Sequence, residues 1–242
     1  MVTACLAMTR AVESMGLHED MTAGLSLGEY CAIAVAGGMC DLDAIRTVRS
    51  RGIFMEHAAP EGSGAMSAVL GMDAAVIENV LNGREGVSIA NYNCPGQIVI
   101  TGEAAAVAEA GTALKEAGAR RVLPLKVSGP FHSPMMRPAG EELAKVFARV
   151  SMNPLKIPYV ANINAEVITD CGRIEGLLVE QVSGSVRWQQ SVETMIREGV
   201  DTFVEIGPGK TLTGFLRKID KNVKAYHIGS WEEAVQVCEE LK

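Results

Sequence analysis

Residues 65–127 alternate between strand-like and helical patterns in an order that admits few folds. The strand-like segments are Met66–Leu70, Val87–Asn91, Gln97–Thr101 and Arg121–Val127, and the helical segments are Ala74–Leu81 and Ala104–Ala117. This order, βαββαβ over about 60 residues, is typical of the ferredoxin-like arrangement. Joints rich in glycine and proline bound it on both sides. The pattern therefore predicts a small inserted subdomain over residues 61–127.

The flanking residues, 1–60 and 128–242, carry helical segments separated by short strand-like ones. The predicted helices are Val2–Met15, Gly28–Ala36, Asp41–Ala58, Pro138–Val150, Ile174–Val182, Gln190–Glu198, Thr211–Ile219 and Glu232–Leu241, and the predicted strands are Met21–Ala23, Tyr159–Asn162 and Thr202–Ile206. Alternating strands and helices favour a parallel sheet, so we expect a large α/β subdomain. Its first helix begins at Met1 on an apolar face without a capping residue. We therefore expect this subdomain to be incomplete at its N-terminus.

Composition and charge exclude several classes of function. The chain has 242 residues, 48% of them hydrophobic, which suffices for a sizeable core. It carries 29 acidic and 22 basic side chains, a net charge of −7, which disfavours nucleic acid and anionic lipid as partners. No apolar run reaches the roughly 18–20 residues of a membrane span, and Met1 is not followed by a basic segment and a cleavable apolar run. The six cysteines lack metal-ligand spacing. We expect a cytoplasmic protein without a metal site.

One short motif predicts nucleophilic chemistry. Gly24-Leu25-Ser26-Leu27-Gly28 fits G-x-S-x-G, in which glycines allow a sharp turn from a strand to a helix and expose the serine hydroxyl. Ser26 would lie at the positive end of the following helix, with the Leu27 amide available to an oxyanion. The alternative is a helix N-terminus that merely happens to be rich in glycine and serine.

A serine nucleophile needs a base, and the chain has four histidines. His18 and His57 are expected at the surface, and His227 lies in a strand-like segment. His132 lies in a loop after a predicted strand, where catalytic side chains of α/β proteins are commonly found. His132 is therefore the candidate base, although a loop histidine taken alone is more often incidental.

Five motifs together carry a family resemblance. They are Gly24-Leu25-Ser26-Leu27-Gly28-Glu29-Tyr30, Arg51-Gly52-Ile53-Phe54-Met55, Asn91-Tyr92-Asn93-Cys94-Pro95-Gly96-Gln97, Gly129-Pro130-Phe131-His132-Ser133 and Glu205-Ile206-Gly207-Pro208-Gly209-Lys210. In this order they resemble the malonyl-CoA:acyl-carrier-protein transacylases and the related acyltransferase domains of polyketide synthases. The resemblance covers the whole chain. It implies an α/β-hydrolase-like large subdomain, residues 1–60 and 128–242, with the ferredoxin-like insertion.

The resemblance also implies roles for particular residues. Ser26 would take the malonyl group, His132 would remove its proton, and the backbone carbonyl of Gln181 would orient the histidine. Arg51 would hold the malonyl carboxylate, for which its guanidinium offers a two-donor fork. Without the motif, Arg51 would be interpreted as an exposed arginine at a helix end.

Two further positions concern specificity. Phe131 resembles the malonyl-selective form of the histidine loop, in which a bulky ring leaves little room for an α-methyl branch; such discrimination is worth about 1–3 kcal/mol. Asn93 would lie near the mouth of the site by analogy, but a turn residue before Pro95-Gly96 explains it equally well.

The implied substrates are malonyl-CoA and an acyl carrier protein, with no metal or redox cofactor. Carrier proteins of this kind are acidic, and two basic clusters could meet one: Lys210, Arg217, Lys218, Lys221 and Lys224, or Lys115, Arg120, Arg121 and Lys126. Each cluster could equally be a solvated helix face. The oligomeric state stays open, with a monomer as the working expectation, and the sequence does not distinguish fatty acid from polyketide synthesis.

The chain departs from the family pattern in two places. Leu25 replaces a histidine found in most members, and the family's upstream strand and Gly-Gln-Gly loop, which supply a second oxyanion donor, do not appear. Loss of one such donor costs about 10²- to 10³-fold in rate. Two alternatives therefore remain: a serine hydrolase of small esters or thioesters, and an inactive fragment.

Overall fold

The computed structural model describes residues 1–127 and 129–241. Ser128, which begins the second predicted segment of the large subdomain, and Lys242, which ends it, lie outside the described residues. The helices are α1 (Val2–Ser14), α2 (Gly28–Val35), α3 (Asp41–His57), α4 (Ala74–Leu81), α5 (Ala104–Glu116), α6 (Arg137–Phe147), α7 (Ile174–Ser183), α8 (Trp188–Arg197), α9 (Thr211–Ile219) and α10 (Trp231–Glu240). The strands are β1 (Thr22–Ala23), β2 (Gly64–Leu70), β3 (Val87–Cys94), β4 (Gln97–Glu103), β5 (Arg121–Pro124), β6 (Tyr159–Val160), β7 (Val167–Ile168), β8 (Thr202–Ile206) and β9 (Lys224–Ile228).

The segment from β2 to β5 forms a four-stranded antiparallel sheet in the order β3-β4-β2-β5. This is the strand order of the ferredoxin-like arrangement predicted from the βαββαβ pattern. Strand β5 ends at Pro124 rather than at Val127. Proline has no N–H to extend the ladder, and beyond it the amide of Leu125 bonds to the carbonyl of Met66.

The two faces of this sheet have different partners. Large aliphatic side chains such as Val69, Ile98 and Ile100 pack against α4 and α5 on one face. The opposite face carries Met66, Ala68, Ala90 and Val99, and Phe131 packs against them. Backbone hydrogen bonds of Val186 with Ala90 and Tyr92 also join the edge of β3 to the segment before α8. The small sheet is therefore fixed to the rest of the chain by apolar packing and by backbone pairing.

The remaining strands form two short sheets. Strand β1 pairs in parallel with β6, β6 pairs with β7 in antiparallel fashion, and β8 pairs in parallel with β9. The predicted parallel pairing is thus present, but the antiparallel strand β7 was not predicted, because Val167-Ile168 is an isolated apolar pair without an alternating pattern. The fold class is confirmed as α/β, whereas the boundaries at residues 60/61 and 127/128 stay predictions.

Helix α2 lies at the centre of the larger core. Tyr30 and Ile33 are fully buried, and the helix packs among apolar residues of α1, α3, α6 and α7. The small alanine side chains of α2 allow the neighbouring helices to pack closely. The N-terminus of α2 directly follows the turn that contains Ser26. None of the helices in the described ranges combines the length and the apolar character needed to cross a lipid bilayer.

Candidate active site

Ser26 lies in the turn between β1 and α2, in a left-handed backbone conformation with φ of 52°. This conformation is unfavourable for a residue with a side chain and is typical of a functional turn. Gly24 makes the turn possible, because a Cβ at this position would lie 2.0 Å from the carbonyl oxygen of Gly28. A Cβ on Gly28 would meet no atom within 4 Å. Of the two motif glycines, only Gly24 is therefore required by sterics.

Asn162, just after β6, holds this turn from the neighbouring strand. Its side-chain oxygen accepts a hydrogen bond from the amide of Ser26 at 2.7 Å, and its side-chain nitrogen donates to the carbonyl of Gly24 at 2.8 Å. Both contacts arise because β1 and β6 run in parallel and end at the same edge of the sheet. Asn162 was not recognised in the sequence, although a polar residue at the end of a predicted strand was a usable signal.

His132 meets the serine across the cleft. Its Nε2 lies 2.8 Å from Oγ of Ser26, and its Nδ1 lies 2.8 Å from the backbone oxygen of Gln181. A carbonyl can only accept, so Nδ1 carries the proton and Nε2 is free to take one from the serine. Burial lowers the pKa of His132 to about 4, and the nearby charge of Arg51 acts in the same direction. The imidazole is therefore neutral near pH 7.

The carbonyl of Gln181 is available because of its place in the helix. Helix α7 ends at Ser183, so Gln181 is among the last residues, whose carbonyls have no partner within the helix. Its side chain is also engaged. The amide nitrogen donates to the carbonyl of Ser26 at 2.9 Å and to Oε2 of Glu29 at 2.7 Å.

Arg51, in α3, completes the group. Its Nη2 donates to Oγ of Ser26 and to the side-chain oxygen of Gln181, both at 3.0 Å. The residue is only 6% exposed, and its guanidinium lies 5.8 Å from the centre of the Tyr30 ring. Burial lowers the pKa of Arg51. Within residues 1–127 and 129–241 it forms no ion pair, so it is a buried cation without a direct counter-ion.

Glu29, in the first turn of α2, is fully buried beneath these residues. Its Oε2 accepts from the side chain of Gln181 and, at 3.3 Å, from the amide of Asn162. Its Oε1 has no hydrogen-bond partner among the described atoms. Burial raises the pKa of Glu29 to about 8, against the opposing effect of its hydrogen bonds and of Arg51. The sequence motif contains Glu29, but spacing alone did not mark it as part of the site.

The remaining predicted site residues lie around this centre. Leu27 is half-buried before α2, and its amide donates to no acceptor in the described part of the chain. Phe131 is half-buried and contacts both the larger core and the small sheet. Asn93 is 7% exposed and occupies a bulge in β3, between the pairs Tyr92–Ile98 and Cys94–Gln97. The interpretation of Asn93 as a turn residue is therefore wrong, and its place at the mouth of the site stays a prediction.

The other histidines do not reach the site. His18 and His57 are exposed, and Nδ1 of His57 bonds to the carbonyl of Ile53 in its own helix. His227 bonds to the carbonyl of Gly207 and lies beside Glu233. In the described ranges, no group of three or more His, Cys, Asp or Glu side chains is arranged to hold a metal ion.

An α/β fold in which a strained turn presents a serine to a neutral histidine and a buried arginine defines a serine acyl-transfer protein. The Acyl transferase domain family model matches residues 2–237, and the chain belongs to this family. The malonyl CoA-acyl carrier protein transacylase of Bacillus subtilis is 43% identical over 246 residues, covering 100% of this chain and 78% of that protein.

Solved structures agree with this assignment. The acyl-carrier-protein S-malonyltransferase of Burkholderia pseudomallei superposes with a TM-score of 0.95 at 38% identity, covering 98% of this chain and 79% of that one. A malonyl-transacylase in complex with a type II polyketide synthase acyl-carrier protein superposes with a TM-score of 0.93 at 37% identity, covering 99% of this chain and 79% of that one.

Proposed function

We propose that the chain is a malonyl-CoA:acyl-carrier-protein S-malonyltransferase that works through a malonyl ester of Ser26. The observation that carries this proposal is the convergence of three groups: Oγ of Ser26 lies 2.8 Å from Nε2 of His132 and 3.0 Å from Nη2 of Arg51. The first contact supplies an activated nucleophile, and the second supplies a cation for an acidic acyl group.

In the first half-reaction, Oγ of Ser26 attacks the thioester carbon of malonyl-CoA while Nε2 of His132 takes the hydroxyl proton. The C–S bond then breaks, and coenzyme A leaves as a thiol with the proton from His132. The amide of Leu27, which lacks an acceptor among the described residues, is suited to bind the oxyanion. In the second half-reaction, the pantetheine thiol of the carrier protein gives its proton to His132 and attacks the ester, and Ser26 regains the proton. Both steps need only these groups, without a metal or redox cofactor.

The role of Arg51 in choosing the acyl group follows from its unused donors. Only Nη2 is engaged, so Nε and Nη1 have no partner among the described residues. A buried cation without a counter-ion is costly, and a malonyl carboxylate would supply the missing charge. An apolar ester would leave the arginine unpaired, which disfavours the serine hydrolase alternative. The bulk of Phe131 beside His132 supports a preference for malonyl over methylmalonyl groups.

The carrier protein as acceptor is supported by an exposed basic surface on one side of the site. Lys210, Arg217, Lys218, Lys221 and Lys224 are all exposed, on or next to α9. The inner face of α9, Phe215 and Leu216, packs in the same cluster as Leu25, the neighbour of Ser26. An acidic partner at this surface would therefore approach the nucleophile. A cytoplasmic location is part of the same proposal and is supported by six cysteines without disulfides.

Intact-mass analysis after incubation with malonyl-CoA tests the proposal. The unaltered chain should gain one malonyl group and lose it when holo acyl carrier protein is added. Ser26→Ala should gain none, whereas Ser14→Ala, which alters an exposed serine at the end of α1, should behave as the unaltered chain. A malonyl adduct that persists in Ser26→Ala would contradict the assignment. Release of free malonate without any adduct would indicate a hydrolase instead.

A further inference from the structure

The side-chain amide of Gln181 links the buried carboxyl of Glu29 to the buried guanidinium of Arg51. Its nitrogen donates to Oε2 of Glu29 at 2.7 Å, and its oxygen accepts from Nη2 of Arg51 at 3.0 Å. The carboxyl of Glu29 forms no hydrogen bond with Arg51, His132 or Ser26 in the described ranges, although the backbone amide of Glu29 donates to the carbonyl of Ser26 at 3.2 Å. The hydrogen-bonded route from the Glu29 carboxyl to the reacting groups therefore runs through the side chain of Gln181 or through Asn162.

The orientation of this amide decides what Arg51 meets. In the observed orientation both N–H groups of Gln181 have acceptors, the carbonyl of Ser26 and the carboxyl of Glu29, while the amide oxygen faces the guanidinium. In the reversed orientation two N–H groups would point at the arginine, and the amide oxygen would face two acceptors. Bonds left unmade in a buried site are costly, so the observed orientation is the favoured one.

From this arrangement we propose that Glu29 is a positioning residue for acyl-group selection: it fixes the Gln181 amide, which in turn holds the Arg51 guanidinium beside Ser26. The inference rests on the proposed malonyl transfer and extends it to a residue whose side chain contacts neither the substrate nor Ser26. The backbone carbonyl of Gln181 serves His132 separately, and within the side chain it is the amide oxygen that contacts the arginine.

The protonation of Glu29 agrees with this function. Burial raises the pKa of Glu29 to about 8, so the carboxyl is largely neutral near pH 7. A neutral carboxyl can still accept at Oε2, and its proton would lie on Oε1, which has no partner in the described structure. Glutamine has the same shape and the same acceptor, so Glu29→Gln should preserve the contact. Methionine has a similar length but no comparable acceptor, so Glu29→Met should remove it.

The test is the ratio of malonyl to acetyl groups loaded on Ser26 from an equimolar mixture of malonyl-CoA and acetyl-CoA, measured by intact mass. We expect Glu29→Met to lower this ratio about tenfold, the effect of one lost buried hydrogen bond, and Glu29→Gln to keep it within about threefold. Tyr159→Phe is the matched control, because the Tyr159 hydroxyl is also buried near Glu29 but makes no hydrogen bond among the described atoms. It should leave the ratio unchanged.

A second variant separates coupling from general damage. Gln181→Met removes the amide but keeps the backbone carbonyl that His132 uses, and it should lower the ratio as Glu29→Met does. The double variant should lose no more than either single variant, since both break one chain of contacts. Additive losses, or an equal fall in malonyl and acetyl loading, would overturn the proposal.

Folding failure does not block the test. If Glu29→Met does not fold, an unchanged ratio in Gln181→Met overturns the proposal by itself. Failure of the unaltered chain to form malonyl-Ser26 would contradict the proposed function instead, so the two results are distinguishable.

Discussion

The backbone carbonyl oxygen of Gln181 lies 2.8 Å from Nδ1 of His132. In serine-histidine-aspartate triads a carboxylate holds this position, orients the imidazole and stabilises the imidazolium that forms during reaction. A neutral carbonyl can orient the ring and fix the tautomer but offers less stabilisation to the cation. The nearby charge of Arg51 disfavours the cation further. The proton affinity of His132 is therefore low.

This relationship predicts the acid limb of the pH profile. His132 must be neutral to accept the serine proton, and burial with Arg51 lowers its pKa from 6.5 to about 4. We expect kcat/KM for malonyl loading to be level across neutral and mildly acidic pH and to fall only as pH approaches 4. Circular dichroism at each pH checks that the chain is folded. A limb near 6.5 would show that His132 keeps its ordinary pKa in the free enzyme.

Replacement of Arg51 should change which acyl group is loaded. In Arg51→Ala the malonyl carboxylate would be buried without a partner, which should lower kcat/KM for malonyl-CoA by about 10²- to 10³-fold. Acetyl-CoA carries no such charge, so its loading should stay level or rise. Arg46→Ala, an exposed arginine of the same helix, is the control and should leave both rates unchanged. Equal losses of kcat/KM for both substrates would show that Arg51 does not recognise the carboxylate.

Much of the fold follows from local patterns in the sequence. The strand Thr202–Ile206 and the helix Thr211–Ile219 have the predicted bounds, because apolar, β-branched and turn residues mark their ends clearly. Strand β3 continues to Cys94, three residues beyond its predicted end. The polar residues Asn91 and Asn93 break the alternating pattern there, while bulges keep the strand paired with β4. Tertiary pairing therefore outweighs composition at this position.

The site was predictable where a motif marks one residue and not where two distant elements share a contact. Ser26 and His132 lie 106 residues apart, and each lies in a motif of its own. The sequence therefore predicts both residues without showing the contact between them. Glu29 and Asn162 contact each other only because β6 lies beside β1 and α2 follows the turn. No local sequence pattern shows that β6 lies beside β1. The local sign for Glu29 was an acidic residue at the start of an otherwise apolar predicted helix.

Asn162 should matter for the rate rather than for binding. Asn162→Ala removes the acceptor of the Ser26 amide and the donor to the Gly24 carbonyl, which leaves a strained turn unsupported. We expect kcat for malonyl loading to fall by about tenfold or more, with KM largely unchanged, since Arg51 is not touched. Asn164→Ala is the control, because Asn164 caps only the amide of Glu166 in the same loop. A change confined to KM would place Asn162 in substrate binding instead.

The buried carboxyl of Glu29 predicts how stability varies with pH. Its folded pKa of about 8 is above the ordinary value of 4.5, so the folded chain retains a proton that the unfolded chain releases. This contribution to stability is complete below pH 4.5 and is lost as pH rises toward 8. The glutamine of Glu29→Gln cannot ionise. The free energy of unfolding of this variant should therefore rise relative to that of the unaltered chain as pH increases over that range. Urea denaturation at both ends of the range measures the difference, and a constant difference would mean that Glu29 titrates normally.

The two glycines that flank the serine turn should differ sharply in tolerance. In Gly24→Ala the new Cβ would lie 2.0 Å from the carbonyl oxygen of Gly28, so the turn must shift and Ser26 with it. In Gly28→Ala the Cβ has no atom within 4 Å, and alanine is the better helix former at the start of α2. We expect Gly24→Ala to lower the melting temperature and to abolish malonyl loading, and Gly28→Ala to preserve both. Thermal unfolding and intact-mass analysis of the pair measure these effects. Equal tolerance at the two positions would mean that the turn can relax away from the contact, and that its strained geometry is not required to present the hydroxyl of Ser26.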